Sequence, residues 1–126
     1  LLFNPALNLT MLDGRKIPGA DGTDVAKAIS PTLYLTKNAP PAVIFFGTAD
    51  ALLAHGKEYA AKANELGVRA DLFTAAEMPH GFFNRSPWRE ATTAEADRFL
   101  ASLGYLSGPP TVKQPDGAKE LVKEKQ

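Results

Sequence analysis

Hydrophobic positions along the chain fall into short blocks separated by polar, glycine and proline residues, and their spacing predicts alternating strands and helices. LLF at 1–3 is stopped by Asn4-Pro5 and reads as the end of a buried strand leaving a sheet. AVIFF at 42–46 is continuous rather than alternating, the pattern of a strand covered on both faces, as in a parallel sheet. Beyond Gly47-Thr48-Ala49-Asp50, residues 53–66 place Tyr59, Ala60, Ala63 and Leu66 at helical spacing, and Gly67 supplies a stop. Val68, Leu72 and Phe73 predict a strand over 68–73, which Met78-Pro79-His80-Gly81 breaks. Thr92 and Glu95 have the spacing of a capping box, opening a helix whose Ala96, Phe99, Leu100 and Leu103 share one face before Gly104 closes it. Strand, helix, strand, helix implies a right-handed parallel α/β arrangement.

The remaining stretches read as connections. Residues 8–24 hold three turn pairs, Asp13-Gly14, Pro18-Gly19 and Asp21-Gly22, and are expected to form a long surface loop. A short helix over 25–29 would end at Ser30-Pro31, because the residue before proline is pushed out of the helical region. From Gly108 onward, proline, glycine and alternating charges leave little to bury, so residues 108–126 are expected to be a mobile charged tail with at most a transient helix near the end. Residues 1–107 form the folded part, and no internal repeat of roughly 20 to 50 residues divides it.

Composition narrows the function classes. At 126 residues the chain is one domain or part of a larger one, and 44% hydrophobic against 22% charged residues is enough apolar surface to fold. Fourteen Lys and Arg balance fourteen Asp and Glu, so nothing supplies the basic field that nucleic acid or an anionic membrane surface would need. The absence of cysteine excludes disulfide scaffolds, zinc ribbons, thiol nucleophiles and iron–sulfur clusters. No apolar stretch approaches the roughly 20 residues that span a bilayer. The chain opens LLFNPALNL, with no methionine, basic segment or long apolar run, so a truncated N-terminus is expected and the compartment stays open.

In parallel α/β sheets, chemistry collects on the loops that leave the carboxyl ends of the strands. Two such loops carry candidates: Asp50 beyond the 42–46 strand, and His80, set between Pro79 and Gly81, beyond the next. Neighbouring strands would bring the two loops together, so that a carboxylate could orient an imidazole base. Read singly, Asp50 is equally a turn or helix-capping residue and His80 a loop histidine. Asp50, His55 and His80 would be the candidate metal set, but no HExxH or comparable ligand spacing accompanies them, and no metal is assigned. No glycine pattern forms a phosphate cradle, so no cofactor is assigned either. Phe82, Phe83 and Trp88 fit either an acyl pocket or the core.

FGTAD ending a buried strand, followed after one helix and one strand by PHGFF, resembles the carboxyl-terminal part of α/β-hydrolase esterases of the acetyl-xylan-esterase-like and carboxylesterase-like branch. LLFNPALN, AISPTLYL with the following APP, and RFLASLGYL resemble the same branch in the same order, over about 1–106. The resemblance implies the C-terminal portion of an α/β-hydrolase fold, with about three parallel strands and flanking helices. It implies a Ser, Asp, His triad in which Asp50 is the acid and His80 the base. It also implies a small-molecule ester substrate, a short-chain or acetyl ester of a sugar or small alcohol, with no cofactor. The pattern departs at the nucleophile: no G-x-S-x-G occurs, and Ser30, Ser86, Ser102 and Ser107 lack the glycine-flanked elbow. The nucleophile and oxyanion loop are therefore expected outside this chain, which alone would be inactive. An apolar edge at Leu1 would then invite self-association or a chain carrying the missing N-terminal half. Two alternatives stay open: the corresponding part of a prolyl-oligopeptidase-type serine peptidase, and a non-catalytic binding or assembly module on the same scaffold.

Overall fold

A computed structural model describes residues 1–12, 23–117 and 119–125. Its sheet has four strands in the order β1 (Leu2–Phe3), β2 (Ala42–Gly47), β3 (Ala70–Ala75) and β4 (Val122–Lys123). The first three run parallel and β4 runs antiparallel to β3. Among the described residues three α-helices accompany them: α1 (Thr23–Ala28), α2 (Leu53–Glu65) and α3 (Trp88–Ser102).

Every residue of β2 and β3 is buried, which explains the uninterrupted apolar run in β2. Alternate side chains point to opposite faces. Ala42, Ile44, Phe46, Ala70 and Leu72 pack against Tyr59, Ala60 and Ala63 of α2. Val43, Phe45, Phe73 and Ala75 pack on the other face with Phe82, Trp88, Ala96 and Phe99. Burying each large apolar side chain contributes roughly 1.5–3 kcal/mol, so a helix on both faces is what makes a six-residue strand of this composition stable.

Both expected glycine stops close their helices in the same way. Gly67 is left-handed, its N–H donates to Asn64 O at 2.9 Å, and the N–H of Val68 donates to Ala63 O at 2.8 Å. Gly104 repeats this with Ala101 O and Tyr105 with Leu100 O, each at 3.0 Å. The first pair corrects the start of β3: Val68 is buried but belongs to the cap of α2, and the strand opens at Ala70.

Three further expectations are revised. The final helix begins at Trp88, not at Thr92, whose hydroxyl donates to Trp88 O at 2.9 Å inside the helix instead of capping it. The tail expected to be mobile, with at most a helix, returns to the sheet: Glu124 N–H donates to Leu72 O at 2.9 Å, and Lys123 Nζ lies 2.8 Å from Asp71 Oδ1. The sheet thereby gains an antiparallel fourth strand beside the three parallel ones. Of the 8–24 loop, a 3-10 helix over Leu9–Met11 and the start of α1 are observed, and the three turn pairs lie outside the described residues.

One close approach and three hydrogen bonds tie the loops at the carboxyl ends of β2 and β3 together. Gly47 ends β2 directly against the Met78 carbonyl, and a Cβ at Gly47 would stand 1.9 Å from that oxygen. Thr48 N–H donates to Ala75 O at 2.9 Å, Ala49 N–H to Met78 O at 3.0 Å, and Glu77 N–H to Thr48 Oγ1 at 2.7 Å. On the opposite side of the sheet's end, the segment after β1 is pinned to α2. Asn8 N–H donates to the buried His55 Nδ1 at 3.1 Å, and Asn8 Nδ2 reaches Glu58 at 2.9 Å. Burial lowers the His55 pKa from its ordinary value, outweighing the nearby Glu58 and Asp50 charges.

Two outcomes follow. Gly47→Ala must displace backbone and should cost about 1–3 kcal/mol or more, read as a lower thermal midpoint; an unchanged midpoint would show that the Met78 loop yields freely. Because folding lowers the His55 pKa, the unfolded chain binds the proton more readily. Stability is full above roughly pH 6.5 and declines as pH falls below it. Urea titrations across that window should show this decline in the parent chain and a flatter profile in His55→Gln.

Candidate active site

Asp50 stands at the end of the turn that leaves β2, its N–H donating to Gly47 O at 3.1 Å. Its two carboxylate oxygens have separate tasks. Oδ1 accepts the Leu52 N–H at 2.9 Å, the local turn role that an aspartate in this position can always play. Oδ2 faces the neighbouring loop and lies 3.0 Å from His80 Nδ1. The structure therefore brings together the two residues singled out in the sequence, 30 positions apart.

The Asp50 side chain is 2% exposed and that of His80 60% exposed, so the carboxylate sits behind an imidazole that opens to the surface. Gly81, left-handed at φ 78°, turns the chain immediately after His80, and Asn84 N–H and Nδ2 both donate to its carbonyl at 3.1 Å. That turn is the conformation for which glycine follows the histidine.

Asn4 completes the arrangement, and reading the sequence assigned it only to the end of a strand. It is 5% exposed, with φ 45°, a left-handed conformation that asparagine tolerates better than most residues. Its Oδ1 accepts the Gly81 N–H at 3.2 Å, and its Nδ2 donates to Asp50 Oδ2. A backbone N–H can only donate, which fixes the orientation of the Asn4 amide and directs its NH2 toward Asp50. Both Asp50 oxygens thus receive N–H donors, and His80 fits the same pattern when its proton is on Nδ1. Nε2 then keeps its lone pair for an incoming proton.

The other candidates separate from this pair. His55 is 2% exposed and its Nδ1 is engaged by Asn8, and no group of three or more His, Asp or Glu side chains is placed to hold a metal among the described residues. Phe82 and Trp88 are buried in the core at 6% and 5% exposure, with rings edge to face at 5.7 Å. Phe83 is partly buried against Phe3, centroids 5.0 Å apart. Ser30 is fully buried with its hydroxyl donating to Ala26 O, and Ser102 donates to Phe99 O at 2.6 Å. Such commitments are structural rather than nucleophilic.

Comparison with known proteins bears on the fold that carries this geometry. Residues 8–84 match the family described as the alpha/beta hydrolase fold. An esterase of Gibberella moniliformis is 30% identical over 105 residues, which cover 80% of this chain and 33% of that protein. The apo form of Thermogutta terrifontis esterase 2 superposes with a TM-score of 0.72 at 30% identity, over 85% of this chain and 42% of its own. The butyrate-bound form of the same esterase gives 0.71 at 30% identity, over 86% and 45%. The chain spans a third of the curated relative and less than half of these solved structures. The strand order, the two helix-covered faces and the matched residues converge on one assignment: this chain belongs to the α/β-hydrolase family, as part of its esterase-like fold.

Proposed function

We propose that Asp50 and His80 are the acid and base of a serine carboxylic-ester hydrolase whose nucleophile and oxyanion donors come from sequence outside these 126 residues. The observation that carries this reading is the 3.0 Å contact between a buried carboxylate and an exposed imidazole at the carboxyl ends of adjacent parallel strands. In such a site, His80 Nε2 takes the proton of the serine hydroxyl as its oxygen attacks the ester carbonyl. It then returns that proton to the departing alcohol, and repeats the exchange with water to release the acid. Asp50 keeps Nδ1 protonated and stabilises the imidazolium that forms between the two transfers.

The substrate class we favour is a short-chain acyl or acetyl ester, including esters of sugars. Support comes from Thermogutta terrifontis esterase 2, whose structures include propionate-bound and butyrate-bound forms and a form phosphorylated by paraoxon. The esterases among the relatives favour an ester over a peptide bond. We also propose that the β1 edge, where Leu1 is 53% exposed, takes up the strands that bear the nucleophile, from the same longer polypeptide or from a second chain.

Expressed together with the nucleophile-bearing segment, the protein should hydrolyse p-nitrophenyl acetate and butyrate. Asp50→Asn should lower turnover by on the order of 10⁴, and His80→Ala comparably. Equal rates in parent and variants would remove both residues from the mechanism, and a complete fold with no ester hydrolysis would favour the binding-module alternative. For the edge, sedimentation velocity of the 126-residue chain at micromolar concentration should show species heavier than the monomer. A single monomeric boundary would count against uptake of a further chain.

A further inference from the structure

We infer that Asn4 is a positioning residue for the Asp50–His80 pair, holding the carboxylate and the histidine loop in the one arrangement that leaves His80 Nε2 unprotonated. This rests on the reading of Asp50 and His80 as acid and base.

Asn4 reaches all three parts of the site's frame. Its N–H donates to Phe45 O at 2.9 Å, which seats it on β2. Its Nδ2 donates to Asp50, 46 residues away, and its Oδ1 accepts from Gly81, 77 residues away. One amide group thus spans the loop of the acid and the loop of the base, using a donor on one side and an acceptor on the other. Neither a carboxylate nor a hydrocarbon of the same size supplies that combination.

The choice of oxygen gives the contact its consequence. Asp50 Oδ2 receives the Asn4 amide and also faces His80 Nδ1, while Oδ1 is occupied by the Leu52 N–H. With both oxygens engaged, the carboxylate is prevented from turning about its terminal bond. With Gly81 N–H engaged, the backbone next to His80 is prevented from re-aiming the ring. Removing the Asn4 side chain releases both restraints, and the imidazole then exchanges between the Nδ1–H form and the Nε2–H form, in which the base is blocked. An asparagine that merely finishes β1 would leave the tautomer untouched.

The test is the tautomer of His80, read by two-bond ¹H–¹⁵N correlations in the 126-residue chain roughly two pH units above the usual histidine pKa of about 6.5. It requires no turnover. In the parent chain His80 should be wholly Nδ1–H. Asn4→Gly keeps the left-handed backbone without strain. It should give a mixed tautomer, with a dispersed spectrum showing the fold retained. Asp50→Asn serves as the reference, because its amide can donate to Nδ1 and should force the Nε2–H form.

If Asp50→Asn switches the tautomer and a folded Asn4→Gly does not, the role of Asn4 is overturned and the acid–base pair stands. If neither variant moves it, the pair itself fails and this inference with it. Should Asn4→Gly not fold, the parent chain decides. The Asn4 Nδ2 protons should exchange slowly and show a nuclear Overhauser contact to the His80 Nδ1 proton, whereas water-exposed exchange rates with no such contact overturn the proposal.

Discussion

Parallel pairing of β2 with β3, unbroken from Ala42 opposite Ala70 to Gly47 opposite Ala75, is the constraint from which the site descends. Two strands that run the same way release their following loops at the same end of the sheet, whatever the length of chain between them. Here that end is drawn tighter still, because Gly47 has no side chain to hold off the Met78 carbonyl. The turn carrying Asp50 and the turn carrying His80 consequently share hydrogen bonds before either side chain is considered. The Asp50–His80 contact is set by the backbone, and the side chains only finish it.

Burial of Asp50 then needs its own explanation, since a carboxylate removed from water is costly unless its oxygens are occupied. Two N–H groups meet it, the Leu52 backbone and the Asn4 amide, and the His80 ring supplies a third when its proton is on Nδ1. The first two come from elements other than the histidine loop, so the carboxylate keeps its place behind an imidazole that opens to the surface. The asymmetry of exposure, 2% against 60%, is what the proposed division between an orienting group and a reacting one requires.

How much of this was legible depends on how far away the deciding partner lies. The run at 42–46 announces a two-sided strand because its own residues carry the pattern, and Gly67 and Gly104 announce helix ends for the same local reason. Asp50 and His80 were legible as strand-end residues, and the family resemblance paired them. Thr92 misled because the capping spacing is short and common, whereas the hydroxyl was satisfied by the carbonyl four residues back within a helix already begun at Trp88. Val68 misled in another way: an apolar residue after a helix-ending glycine has a cap to complete before any strand can start. Asn4 was out of reach, for nothing near it in sequence indicates partners 46 and 77 residues on.

The tail shows the same limit through charge. KELVKEK has the composition of a solvated segment, yet two of its charges have addresses on β3. Lys123 meets Asp71, which Arg69 also holds at 2.6 Å, and Glu124 accepts the Thr74 hydroxyl at 2.8 Å. Burial would raise the Asp71 pKa, but hydrogen bonds from Arg69 and Lys123 outweigh it and hold the group below its ordinary value. The tail so placed covers the β3 edge with a short, charged strand, a usual protection against unwanted pairing. The β1 edge has no such cover among the described residues, and β1 is the strand whose end delivers Asn4 to the site. Under the proposed function, a strand added at β1 would extend the sheet from the side on which Asn4 holds Asp50, and so would couple strand addition to the geometry of the site.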